Sequence, residues 1–400
     1  MGRQIGISTL AEQLACVQPL AQDRPGIPDG DYAVRLGKAV ELCAARDIDA
    51  LVIGAGSSLR YFSGVPWKAS ERPVLLVLRA GAEPVMLCPA FERGSLLDCL
   101  RIPCALALWE EHEDPCAVLA DLLHGRKRVA LDPELPFRIA GAVAALVGGA
   151  AFESAAPVID ALRMVKSAAE IAVLRYAMTL TLQVHRHVAA AMRPGVRASE
   201  VRSFIDQAHR RMGADNGASF AAVQFGQATA FPHGIAGDQI LRDDELVLVD
   251  CGCQVHGYHA DITRTYVCGT PGSRQREIWD IERRAQQVVF DAVKPGVACG
   301  ALDDAVRGFL ADNGLGPGYR LPGLPHRAGH GIGLDIHEAP YIMGGDRRPI
   351  EVGMCFSDEP MIVVPDMFGV RLEDHIHVSE AGPCWFSQPA VSITQPFDEK

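Results

Sequence analysis

The chain has no apolar run long enough to cross a bilayer. Its longest, Ile139–Phe152, contains three glycines and falls short of the roughly 20 residues a spanning helix needs. The first two dozen residues have no continuous apolar core either, because Glu12 interrupts the one candidate stretch. A secretory signal is therefore not expected, and the expected compartment is the cytoplasm, with no membrane partner. An excess of positive charge is missing as well: 38 Lys and Arg stand against 49 Asp and Glu, a net charge of −11. Such a surface repels phosphate backbones, so no nucleic-acid partner is expected. Low-complexity tracts and short-period repeats are absent, which argues against a solenoid. Twelve cysteines are present, yet only Cys251 and Cys253 form a C-x-C, and no second pair follows at zinc-finger spacing. Scattered reduced thiols, rather than a disulfide framework or a structural zinc, are the expectation.

What is present fits a globular chain. Of 400 residues, 48% are hydrophobic and 22% charged, enough for a sizeable core divided between two domains. The first half alternates. A helical spacing over Asp31–Arg46 precedes a buried-strand pattern at Ala50–Gly54. Two further strands, Pro73–Leu78 and Pro84–Cys88, read as a hairpin about Gly81. A helix at Ala117–Leu123 and a strand at Arg128–Leu131 complete a compact α/β pattern with a mixed sheet. A boundary falls near 161–167, which predicts an N-terminal domain over 1–163 and a second over 164–400. Ser167 with Glu170 three residues on has capping-box spacing and predicts the start of a long helix reaching about Met192, where Pro194-Gly195 stops it. Helices are further expected at Ala198–Met212, Gln275–Val293 and Gly300–Asn313, within an otherwise strand-rich second half.

The chemistry-bearing residues lie in that half. Leu246–Tyr266 reads as two strands about a turn containing Gly257, and a register pairing Asp250 with Asp261 puts two carboxylates on one face. Directly opposed residues in such a ladder lie ~5 Å apart, a separation at which two carboxylates repel unless a cation lies between them. Further on, Met354–Pro360 and Gly369–His375 flank Pro365-Asp366, and a register centred on Asp366 pairs Glu359 with Glu373. His330, in Gly-His-Gly-Ile-Gly, supplies an imidazole where flanking glycines let backbone approach closely. Singly these residues are ordinary: an Asp at a strand end is usually a turn or cap residue, and a Gly-flanked His a loop residue. Two matching hairpins and an imidazole within ~120 residues are harder to obtain by chance, and they suit a pair of divalent ions ~3.5–4 Å apart.

These segments, VDCGCQVHGYHADITRTY, GHGIGLDIHEAP, FSDEP and GVRLED, resemble in order the signature stretches of the pita-bread metallopeptidases, a family that includes methionine aminopeptidase, aminopeptidase P, prolidase and creatinase. DALVIGAGSSLRYFSGV and LRMVKSAAEI resemble the creatinase/prolidase N-terminal domain, which methionine aminopeptidases lack. The resemblance implies an α/β (α+β) protein: an N-terminal creatinase/prolidase-type α/β domain and a C-terminal pita-bread catalytic domain. It also implies five metal ligands, Asp250, Asp261, His330, Glu359 and Glu373, holding two divalent ions per subunit. Mn²⁺ is the first expectation, with Zn²⁺ or Co²⁺ as alternatives. Glu359 matches the ligand that also moves protons; His233 and His337 match the two histidines around the scissile amide. Arg371 matches an arginine two before the last ligand and is expected either to grip a substrate carboxylate or to partner Glu373 or Asp374. The family Tyr after Glu-Pro is replaced by Val363, which has no hydrogen bond to donate. The implied activity is Xaa-Pro dipeptide hydrolysis by a metal-bridging hydroxide, in a homodimer. The alternatives are aminopeptidase P action on longer peptides and creatinase-, ectoine hydrolase- or sulfonium lyase-like chemistry, although metal-free members of that group usually lose ligands that this chain retains.

Overall fold

The computed structural model describes residues 5–397. Packing divides them into two compact units, one of residues 27–163 and one joining 164–397 to residues 5–26. The first segment was expected to belong with the N-terminal domain. It packs on the second unit instead: Gly6 N–H donates to Ala189 O at 3.1 Å, Arg211 donates to Leu14 O at 2.7 Å, and Arg24 pairs with Asp215. No helix among the described residues is long and apolar enough to cross a membrane.

The 27–163 unit is built on a six-stranded mixed sheet. Its strand order is Ala105–Trp109, Val85–Pro89, Leu75–Arg79, Ala50–Gly54, Arg128–Leu131, Ala151–Ser154. Ala50–Gly54 runs antiparallel to Leu75–Arg79 and parallel to Arg128–Leu131. All five of its residues are buried, which is why that stretch reads as a continuous apolar run rather than an alternation. The Leu75–Arg79 and Val85–Pro89 hairpin turns at Gly81, whose φ of 70° favours glycine. Two features were not legible in sequence. The apolar 139–152 run divides at Gly148-Gly149 into the end of the Phe137–Leu146 helix and the start of the Ala151–Ser154 strand, and the Ala105–Trp109 strand, half exposed, carries only a weak signal.

The second unit opens at the expected cap. Ser167 Oγ accepts from Glu170 N–H at 3.3 Å and Glu170 Oε2 accepts from Ser167 N–H at 2.9 Å, a reciprocal box at the head of the Ala168–Ala191 helix. Such a cap stabilises by about 1 kcal/mol. The Ala198–Met212 helix ends on Gly213, in the left-handed region at φ 94°. Two further helices, Ser273–Ala292 and Cys299–Asp312, bury an apolar stripe including Ile278, Trp279, Leu302 and Val306 against the strands. The strands form three sheets. The first orders Ile262–Cys268, Glu245–Val255, Ala218–Phe225. The second orders Glu338–Ile342, Gly329–Gly331, Cys355–Asp358, Asp374–Ser379, Gly382–Trp385. The third pairs Met361–Val364 with Phe368–Arg371.

The two acidic hairpins differ in how well their register was anticipated. In the second, Cys355 pairs with His377, Asp358 with Asp374 and Met361 with Arg371, so the whole ladder keeps the alignment centred on Asp366, itself at φ 61°. In the first, Asp250 pairs with Thr263 and not with Asp261. The reason is the turn: His256 and Gly257, at φ 49° and 78°, make a two-residue loop, which moves the centre of the hairpin one residue further on. A shift of two in the pairing preserves parity, so both aspartates still share a face. Gly252 lies where the chain leaves the ladder between Tyr258–His259 and Ile262–Cys268. A Cβ there would meet Ala260 O at 1.8 Å and Phe220 Cε1 at 2.8 Å. Gly252→Ala is expected to lower the unfolding free energy by about 2–3 kcal/mol in urea titration; an unchanged midpoint would contradict this close approach.

Candidate metal centre

Five acidic or imidazole side chains converge from strand middles and strand junctions. Asp250 lies midway along Glu245–Val255. Asp261 occupies the step before Ile262–Cys268, and His330 the centre of Gly329–Gly331. Glu359 and Glu373 occupy the two connections where the Cys355–Asp358/Asp374–Ser379 ladder hands over to Met361–Val364/Phe368–Arg371. Glu373 also stitches the hairpins together: its N–H donates to Thr263 O at 3.1 Å and its Oε2 accepts from Thr263 Oγ1 at 2.7 Å. Ligand-type atoms of Asp250, Asp261 and Glu373 lie within 4.8 Å of one another, and so do those of His330, Glu359 and Glu373. Asp261, His330 and His337 form a third such group. Asp261, His330 and Glu373 each belong to two of these groups, so the three groups form one connected cluster.

The chain's own groups leave this cluster electrostatically incomplete. Asp261, Glu373 and His330 are buried. Among the described residues, Asp250 Oδ1, Asp261 Oδ1 and Glu373 Oε1 are enclosed with no hydrogen-bond partner. Unpaired buried carboxylate oxygens are costly. Burial, followed by repulsion from Glu373 and Asp250, holds the Asp261 carboxyl well above the usual carboxylate range, and burial with Glu359 and Asp250 does the same to Glu373. Burial pushes Glu359 up to about 7; Arg371 pulls it back and Asp250 adds to the rise. Burial, then His337 and His375, holds His330 well below the ordinary imidazole range. Its Nδ1 lies 3.0 Å from Gly331 O. A carbonyl can only accept, so Nδ1 carries the proton and the Nε2 lone pair is free. That lone pair faces Glu359 Oε1 at 3.3 Å and Asp261 Oδ2 at 3.9 Å. A neutral nitrogen aimed at carboxylate oxygens, in an oxygen-dominated donor set, fits divalent cations.

The supporting residues include Arg371, His233 and His337, expected from the sequence, and Arg264, Asp303 and Arg327, which were not. Arg371 is buried and pairs with Asp250; its Nε donates to Thr263 Oγ1 at 3.1 Å and its Nη1 to Pro232 O at 3.5 Å. Its ion-pair partner is Asp250, with Glu373 among the other carboxylates acting on it electrostatically. Asp374 is held by Arg264 at 2.7 Å, both fully buried. Arg264 was missed because a charged residue on a strand ordinarily reads as solvent-facing. Asp303, buried on the Cys299–Asp312 helix, accepts from Arg307 Nε at 2.7 Å and from the N–H groups of Ala328 and Gly344 at 3.0 Å, tying down both ends of the segment that carries His330. His337 is exposed, with its ring centroid 4.0 Å from that of His330. His233 is exposed in the segment whose Pro232 carbonyl reaches Arg371, and it contributes to holding down the pKa of His337, after burial and Arg327. Arg327, stacked on Tyr341 at 4.4 Å, also had no sequence signal. Val363 is buried in the apolar cluster, opposite Gly369.

Comparison with known proteins agrees with this arrangement. Residues 172–380 match metallopeptidase family M24, and residues 35–165 match the creatinase/prolidase N-terminal domain. The chain is 35% identical over 359 residues to the probable dipeptidase PepE of Mycobacterium tuberculosis, covering 88% of this chain and 93% of that one. Among solved structures, dipeptidase PepE from Mycobacterium ulcerans superposes with a TM-score of 0.84 at 33% identity, covering 93% of this chain and 100% of that one. Prolidase from Thermococcus sibiricus gives 0.82 at 26% identity, covering 91% and 98%.

The raised carboxyls make a pH prediction for metal-free protein. Glu359 takes up its proton below about 7 when folded but only near its ordinary 4.5 when unfolded, so the folded state binds more protons between those values. The stability this contributes is complete below about 4.5 and is lost as pH rises through about 7. Buried histidines with depressed pKa, such as His185 at about 3 and His209 at about 4, act in the opposite sense, so the comparison must be with a variant. Metal-free Glu359→Gln is expected to match the parent near pH 4.5 and to exceed it by on the order of 3 kcal/mol above pH 7. Parallel stability profiles across that window would contradict the raised carboxyl.

Proposed function

The chain belongs to metallopeptidase family M24, with a creatinase/prolidase N-terminal domain preceding a pita-bread catalytic domain, and from that membership we propose that it is a dinuclear-metal Xaa-Pro dipeptidase. The observation that carries this reading is the five-residue cluster of ligand-type side chains, with enclosed carboxylate oxygens that a cation would satisfy. Relatives bearing the names dipeptidase and prolidase, similar over nearly their whole length, support the substrate class.

In this reading Asp250, Asp261, His330, Glu359 and Glu373 would hold the divalent ions. Two divalent ions in such a set supply an acidified water as nucleophile near neutral pH. Glu359, whose Oε1 lies 3.3 Å from the Ser357 hydroxyl, is the group that takes a proton and returns it to the leaving proline nitrogen. That return matters for this bond, because proline leaves as a secondary amine. His337, exposed beside His330, steadies the developing oxyanion, the task that Val363 cannot perform. His233 orients the substrate carbonyl from the opposite loop. Arg371 neutralises Asp250 and keeps its carboxylate aimed into the centre.

Two measurements test the reading. With Mn²⁺ added, the protein is expected to hydrolyse Ala-Pro and to leave Ala-Pro-Ala intact. Cleavage of the tripeptide would assign aminopeptidase P activity, and no turnover of either peptide by metal-loaded protein would remove the peptidase assignment. Asp261→Ala is expected to bind no ions by elemental analysis and to lose activity while the 27–163 unit stays folded by circular dichroism. Retention of two ions per chain would contradict a bridging role for Asp261.

A further inference from the structure

His337 is exposed on its loop, and its ring centroid lies 4.0 Å from that of His330 with the planes at 58°. The backbone of that loop adds further constraints. His337 belongs to the 332–337 loop, where the ladder slips: His330 pairs with Tyr341, but Gly331 pairs with Glu338. The loop closes around the Glu338 carboxylate. Glu338 Oε2 accepts from Asp335 N–H at 3.3 Å, and Gly333 N–H donates to Asp335 O at 3.0 Å. A Cβ at Gly333 would meet Glu338 Oε1 at 2.5 Å, so the carboxylate fills the space beneath that glycine.

A buried cation pairs with this carboxylate. Lys166 Nζ lies 2.8 Å from Glu338 Oε1, with side chains only 1% and 8% exposed. Lys166 is itself anchored, its N–H donating to Gly353 O at 2.9 Å. A buried pair of this kind adds little net stability compared with apolar residues of the same volume, whereas an unpaired buried charge is strongly destabilising. Its effect is to permit one loop geometry and penalise the others.

We propose that the Lys166–Glu338 ion pair is a positioning device that holds His337 over the metal centre. Neither residue belongs to the ligand cluster; they act through the backbone of the residue next to Glu338. The proposal rests on the role given to His337 above and extends it to a pair at the start of the catalytic unit, 172 residues apart in sequence.

The test uses two full-length variants, Glu338→Gln, which keeps an acceptor oxygen but removes the charge, and the neutral double variant Lys166→Met/Glu338→Gln. The double variant is expected to keep a thermal midpoint near that of the parent and to bind two Mn²⁺. Its kcat on Ala-Pro should fall at least tenfold with KM within about threefold, since binding is retained and the oxyanion contact is lost. The second readout does not depend on turnover: in metal-free protein with labelled histidines, the nuclear Overhauser contact between the His330 and His337 rings should be strong in the parent and lost or weakened in both variants. Parental ring contact and parental kcat in Glu338→Gln or in the double variant would overturn the proposal. If the parent cleaves no Xaa-Pro peptide while the ring contact still depends on the pair, the positioning role stands and the substrate assignment falls.

Discussion

Like charges forced together in a largely buried space are the constraint on which this protein is organised. Four carboxylates from one strand and three strand junctions converge with one imidazole, and three of their oxygens find no hydrogen bond among the described residues. A folded chain tolerates that arrangement only if protons or cations occupy it. Near neutral pH the proton solution weakens, and cations become the stabilising partner.

The surroundings are built to aim those groups rather than to satisfy them. Thr263, Ser357 and the Gly331 carbonyl each engage one side of a ligand and leave the other side facing the centre. Arg371 compensates Asp250, and Arg264 compensates Asp374, so the positive charge lies behind the ligands. Asp303 and Arg307 hold the ends of the His330 segment from a helix on the far side of the core. The outer groups differ. His233 and His337 are exposed, carried on loops, where a peptide could reach them and where orientation depends on the backbone rather than on packing.

The two hairpins show how a metal cage can be assembled from separate ladders. The second keeps a single alignment through two sheets, which brings Glu359 and Glu373 opposite each other at the junction. The first offsets its aspartates along the strand, with Gly252 admitting the Ala260 carbonyl where any side chain would obstruct it. The bridge from Thr263 to Glu373 then locks one hairpin to the other.

The sequence by itself determined the local and periodic features. These include the buried Ala50–Gly54 strand, the Ser167/Glu170 cap, the long helices and the Asp366 turn, because each follows from spacing or turn chemistry contained in one short segment. Tertiary structure alone decided the rest. It set the offset of Asp250 from Asp261, because the turn at His256-Gly257 chooses the register. It placed residues 5–26 on the second unit, gave Arg371 to Asp250, and brought Arg264, Asp303 and Lys166 inside the protein. A charged side chain carries no mark of burial in its own neighbourhood; which opposite charge it meets depends on contacts tens to hundreds of residues away, and only the folded chain brings those together.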